Sequence, residues 1–296
     1  MIAEYTLTTA LNKEILLLSN VEERLTSKNT PYLYLTLSDH SGSIHANLWD
    51  TNLLQFPYHS GDLLFVNGTL KKYGENLEIK TTPKQLQLYK NIQECDWQEQ
   101  ELFIQRAPIN PKLIAETIQQ TIQSLSSPYK EIMVQLFNYI SFEKFLSHPY
   151  SVQKHHDYMG GLAYHTYKLL KMSEPIIPIY HLDKDLMHSL IILHGLGRYY
   201  GIKNTLQKEY SKIGEYLDDT LIIDSLLVKI AGSLNLSENE NELLQLRHGI
   251  QTMYTINKDS NTIIRPKTLE ANTLAYLLSL DITNTIFIEQ GSQTKV

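Results

Sequence analysis

The hydrophobic period of this chain changes once, and that change limits what it can fold into. Up to about residue 90, apolar residues recur at every second position, as in residues 31–39 (PYLYLTLSD) and 43–50 (SIHANLWD). Side chains of a strand point alternately to its two faces, so a period of two predicts strands with one buried face. From about residue 111 the spacing becomes three and four, as in PKLIAETIQQTIQSL and YKEIMVQLFNYISFEKFL. That spacing lines up one apolar stripe on a helix. A run of strands followed by a run of helices predicts an α+β chain of two domains, and 296 residues are enough for both.

Within the first part, five strands are expected: 14–25, 31–39, 43–50 and two more from 59–80, set around turns at Asn67-Gly68 and Tyr73–Asn76. Short strands at this spacing suit a small barrel or sandwich. The long excursion at 51–61, between the third and fourth, fits an OB-fold β-barrel. The expected organisation is an OB-fold domain over 1–90, a polar linker over 91–110 (ECDWQEQE, ending in APINP) and an all-α domain over 111–296.

Charge restricts the partners. The formal net charge is −6; residues 1–90 hold eight Lys and Arg against nine Asp and Glu, and the rest hold 18 against 23. A protein that grips nucleic acid by neutralising phosphates is ordinarily basic, so a nucleic-acid site here is local and relies on stacking. The aromatic candidates on the strands are Tyr32, Tyr34, Trp49, Phe65 and Tyr73, with Lys71, Lys72 and Lys80 nearby. Alternation assigns Trp49 and Phe65 to the core. Tyr73, beside Gly74 and the Lys71-Lys72 pair near a hairpin turn, is the candidate contact for RNA or DNA. OB barrels also bind proteins and sugars. The sequence holds no apolar run of about eighteen residues, so no membrane span is expected. The N-terminal segment reads as a strand rather than a signal peptide. Cys95 is the single cysteine; it has no disulfide or zinc partner, and the expected location is cytoplasmic.

The strongest local signal is the segment Lys154-His155-His156-Asp157-Tyr158-Met159-Gly160-Gly161-Leu162-Ala163-Tyr164-His165-Thr166, followed by Leu193-His194-Gly195-Leu196-Gly197-Arg198. It resembles the HHxYxGGLLEHT and LLHDIGK segments of the YhaM-like family of OB-fold plus HD-domain 3′→5′ exoribonucleases. The segments PYLYLTLSDHSGSIHANLWD and GDLLFVNGTLKKYGENLEI are similar to the OB domain of that family. The resemblance runs in matching order over roughly 12–285 and implies an HD-type helical domain with a metal-dependent phosphodiesterase site. Such a site needs imidazoles and carboxylates because they hold divalent ions, which acidify water and clamp the reacting oxygens.

Matched position by position, the resemblance implies metal-ligand roles for His165 and His194, with Asp219 where a histidine would fall and His248 as the survivor of a His-His pair. Gly195, Arg247 and Leu278 stand where three further ligands are implied. The remaining set, His165, His194, Asp219 and His248, is too small for two metals. It allows at most one Mn²⁺, Mg²⁺ or Zn²⁺. His155, His156 and Tyr158 are candidate phosphate or base contacts, against the alternative that the histidine pair is a surface cap. Arg198 and Arg247 are candidate phosphate contacts too, Arg247 as a guanidinium replacing a cation.

Three functions follow. The first is a non-catalytic relative of 3′→5′ exoribonucleases that binds single-stranded RNA or DNA. The second is an active metal-dependent 3′→5′ exonuclease with a remodelled site. The third is a structural or regulatory subunit, assembling as a homo-oligomer or as a hetero-oligomer with a related family member.

Overall fold

The computed structural model describes residues 1–74, 76–152, 155–203, 209–237, 240–254 and 264–293. The chain divides into two compact units, one covering Met1–Arg106 and one beginning at Ala107. The first is a six-stranded sheet and the second is helical, an α+β arrangement. Among the described residues no helix is long and apolar enough to cross a membrane.

In the first unit, β1 (Ala10–Leu25), β2 (Pro31–Asp39), β3 (Gly42–Trp49), β4 (Asp62–Tyr73), β5 (Asn76–Lys80) and β6 (Leu86–Asn91) lie in the order β1-β2-β3-β5-β4-β6, and β1 also pairs with β4. The 16 residues of β1 serve two neighbours: residues 10–17 pair with β4 and residues 17–25 with β2. Register shifts at Leu11/Glu14 and Leu18/Asn20 bend the strand, as bulges do. Every pairing is antiparallel except β3 with β5. Alternation sends Leu33, Leu35 and Leu37 of β2 and Ile44, Ala46 and Leu48 of β3 into one core with Leu16, Leu64, Val66 and Ile79. Each buried leucine of this kind contributes roughly 1.5–3 kcal/mol.

Four expectations change here. Asn67-Gly68 is not a turn, because β4 runs straight through it. The glycine serves close approach instead: a Cβ on Gly68 would lie 2.6 Å from the Lys80 carbonyl oxygen of β5. Trp49 is not core. It is 54% exposed, since Leu48 takes the inward position and the next residue must face out. Phe65 is only half-buried, against Tyr89 at 5.1 Å between ring centroids. The stretch read as linker is folded as far as Arg106. Ile92, Cys95 and Phe103 close a small core with Leu17 and Leu63, and the short helix α1 (Trp97–Gln100) lies between them in sequence.

The second unit runs through α2 (Pro111–Ser124), α3 (Tyr129–Tyr139), α4 (Phe142–Ser147), α5 (Gly161–Tyr180), α6 (Lys184–Leu193) and α7 (Leu196–Gly201). A two-residue pair of strands follows, β7 (Ile202–Lys203) with β8 (Glu209–Tyr210). Then come α8 (Lys212–Tyr216), α9 (Asp219–Ser233), α10 (Asn241–Thr252) and α11 (Leu269–Gln293). Helix starts are chemically marked. Asn110, Ser141, Asp183, Ser211 and Asp218 each accept a backbone N–H of the following first turn, satisfying donors that the helix leaves open. Helix α6 is buried from Leu186 to Leu193 and packs against α2, α3, α5, α10 and α11. A helix apolar on all sides belongs at a centre. Its last turn therefore delivers His194 into the interior.

Candidate functional site

Two places gather chemistry, one in each unit. In the strand unit the outward residues of β1, β2 and β3 form an aromatic row. Tyr32 and Trp49 are cross-strand partners with ring centroids 4.7 Å apart, and Tyr34 stacks on His45 at the same separation. The Arg24 guanidinium lies 3.7 Å above the Tyr34 ring, held there by Glu22, whose carboxylate accepts from Nη2 at 2.7 Å and Nε at 3.0 Å. Below the row, Glu78 of β5 accepts from Asn47 Nδ2 at 3.0 Å and pairs with Lys71 Nζ at 3.3 Å. Lys71 and Tyr73 share one face of β4, and Tyr73 is 69% exposed. Lys72, one residue out of phase, belongs to the other face. The structure thus brings Lys71 and Tyr73 together and sets Lys72 apart. The exposed rings of Trp49 and Tyr73 suit stacking on the flat face of a base.

In the helical unit a buried polar cluster lies among α5, α6, α11 and the loop before α5. Gly161 makes that loop fit: a Cβ there would lie 2.0 Å from the His156 carbonyl oxygen, which accepts from Tyr150 N. His156, at φ 52, turns inward. Its Nε2 lies 2.9 Å from Asp281 Oδ2, and its Nδ1 lies 2.7 Å from the Tyr158 hydroxyl. His165 Nδ1 lies 2.6 Å from the same Asp281 oxygen, and Lys168 Nζ pairs with the other. Burial alone would raise the Asp281 carboxyl. The hydrogen bonds from His156, His165 and Lys168 outweigh it and hold the group far below the usual carboxylate range. Burial drives His165 well below its ordinary value, so a neutral imidazole donates to an anionic Asp281.

His194 sits beside this cluster, its ring centroid 4.9 Å from that of His165. Its Nδ1–H donates to the Ile191 carbonyl, and burial lowers its pKa to about 4. Both rings are 0% exposed, and Nε2 of each has no hydrogen-bond partner. A histidine whose Nδ1–H is held by a carboxylate or a carbonyl presents Nε2 as a lone pair, the form that binds metals.

The four residues matched to a metal site do not converge. Asp219 forms an ion pair with Arg198 at 2.8 Å, and burial pushes its carboxyl up against the pull of that guanidinium. The Nε2 of His248 accepts the Lys267 backbone N–H at 2.9 Å. Among the described residues the one group of three potential ligand atoms within 4.8 Å is His156, His165 and Asp281. Those atoms already bond one another, and Lys168 beside them opposes a second cation. Among the described residues a dinuclear centre does not fit. What remains for an ion is the pair of open nitrogens on His165 and His194, too few to close a metal site without other ligands.

The other matched residues are engaged as well. His155 and His156 are buried, not a surface cap. Both ring nitrogens of His156 are occupied within the cluster. Arg247 is closed on Asp224 at 2.7 and 3.0 Å, so its fork faces α9 instead of offering a bidentate phosphate grip. Arg198 lies over the Tyr150 ring at 5.6 Å. The resemblance implies no role for Asp281, Lys168 or Tyr150. Asp281 was within reach: it is three residues after Leu278, and on a helix that spacing returns to the same face. No protein-family model matches the chain, and no solved structure matches it at a significant level.

Proposed function

We propose that this chain is a non-catalytic, single-strand nucleic-acid-binding protein of OB-plus-HD type, its strand unit holding RNA or DNA. The observation that carries this reading is the outward row of Tyr32–Trp49 and Tyr34–His45 with Arg24 above Tyr34. The strand pairings support the OB barrel, because β1-β2-β3-β5-β4 returns to β1 and closes a circuit of five strands. The engaged state of Asp219, His248 and Asp281 supports loss of two-metal hydrolysis.

The test is binding of 5′-labelled oligo-uridine and oligo-thymidine by fluorescence anisotropy. Base stacking on one ring is worth about 1–3 kcal/mol, so Trp49→Ala should weaken binding by roughly 5- to 150-fold. Tyr89→Ala, on the β6 side, should leave it unchanged. Equal effects from the two variants, or no binding by the parent chain, would reject the reading.

The open nitrogens of His165 and His194 favour a second reading, an active 3′→5′ exonuclease. There one Mn²⁺, Mg²⁺ or Zn²⁺ would be held by both rings and would supply Lewis-acid stabilisation of phosphoryl oxygens. Stepwise shortening of 3′-labelled strands in Mn²⁺, abolished by His194→Ala, would establish it in place of the first.

A further inference from the structure

The last helix leaves an unusual face uncovered. Leu269, Tyr276, Leu280 and Phe287 of α11 are between 50% and 74% exposed. At about 100° per residue they fall within a narrow stripe, spanning roughly 27 Å at 1.5 Å rise per residue. The stripe is flanked by the exposed uncharged residues Asn272, Thr283 and Asn284. The charged residues of α11 up to Phe287, Glu270 and Asp281, are both buried. A solvent-facing helix normally carries its charges outward. Aromatic and aliphatic residues without charges mark the core of a protein interface.

The order of the stripe identifies the occupant. Its spacings are seven, four and seven residues, which read the same in both directions. An antiparallel second copy related by a two-fold axis near Leu278 therefore sets Leu269 against Phe287 and Tyr276 against Leu280, each contact occurring twice. This self-complementarity is what a two-fold interface demands. Charge agrees with it, since two copies of an acidic body repel unless the touching faces carry no charge. Side chains of this size present on the order of 200 Å² each, so four at these exposures offer roughly 500 Å² per copy. With its flanks the pair clears the approximately 1,000 Å² expected of a specific interface. At one end of the stripe Asp183 N donates to Glu270 at 2.7 Å, which brings the exposed Ile179 and Tyr180 of α5 to the same region.

We propose that the stripe on α11 is a homodimer interface, pairing antiparallel across a two-fold axis with a second copy of this chain. The measurement is the mass of the full chain in solution, by light scattering at tens of micromolar. The expected value is twice the 34.2 kDa of one chain. Tyr276→Glu with Leu280→Glu should weaken dimerisation by roughly 100-fold or more and leave the helical circular dichroism unchanged. Geometry is tested separately in a Cys95→Ser background. Leu269→Cys mixed with Phe287→Cys should cross-link on oxidation, and neither alone should. A monomeric parent, a dimer that survives the double glutamate variant, or self-cross-linking of either cysteine variant would each overturn the proposal.

Discussion

Asp281 is 3% exposed and accepts from two imidazoles while pairing with the Lys168 ammonium. A buried charge is tolerable only when its partners are complete, and removing one side of such a pair typically costs about 3–5 kcal/mol. Asp281→Asn keeps the shape but abolishes the charge and turns one acceptor into a donor facing donors. The helical unit should lose about that much stability in urea. Lys168→Met should cost less, on the order of 1 kcal/mol, because the lysine side chain is a quarter exposed and water screens it. Destabilisation of under about 1 kcal/mol by Asp281→Asn would remove Asp281 from its central place. The histidines of this cluster were readable from the sequence as a dense local segment. Their acceptor was not: the resemblance implies a ligand aspartate at the position of Leu278 and no role for Asp281, whereas burial selects a helix face, and Leu278 and Asp281 lie on the same one. Which ring nitrogen of His165 stays open depends on a contact 116 residues away, and no local pattern carries that.

At the scale of elements, the two sequence periods translated into a sheet and a set of helices because each period fixes which side of an element is buried. The failures have equally local causes. Trp49 is apolar but follows Leu48, so the pleat turns it outward. Asn67-Gly68 resembles a hairpin turn, yet Gly68 lies where β5 crosses β4 too closely for a side chain. The outward tryptophan is what builds the aromatic row, and the row makes a second, quantitative prediction. Its cations are few, Arg24 and Lys71, and each faces a glutamate. Binding to a single strand releases counterions in proportion to the phosphates neutralised, with a slope of about −0.7 per phosphate in log K against log salt. Two cations give a slope no steeper than about −1.4. Anisotropy titrations between low and moderate salt measure it directly. A slope several times steeper would mean that phosphates are held elsewhere and that the aromatic row is not the main contact.

At the scale of the whole molecule, acid should act on the two units unequally. His194 has a pKa of about 4 in the folded protein, lowered by burial, and about 6.5 when unfolded. Between those values the unfolded chain binds a proton that the folded chain refuses, so stability falls as pH drops from about 6.5 to 4. At about 1.4 kcal/mol per pKa unit, His194 alone removes roughly 3 kcal/mol over that window. His165 shifts in the same direction, and burial also lowers His148 and His188. All four belong to the helical unit. In the strand unit His45 alone, among the described residues, is lowered in this way, and it is only partly buried. The charge on Asp281 is not lost in this window, because its folded pKa lies below it. The chain carries its own reporters for the test. Both tryptophans, Trp49 and Trp97, fall in the strand unit, while the helical signal at 222 nm comes overwhelmingly from the other. On titration from neutral pH in mild urea, ellipticity at 222 nm should collapse between about pH 6.5 and 4, with tryptophan emission unchanged until lower pH. Coincident transitions would mean that the units unfold as one. In a His194→Gln variant the pH dependence of the helical transition should flatten by close to one proton, and a slope equal to that of the parent would exclude His194 as its source.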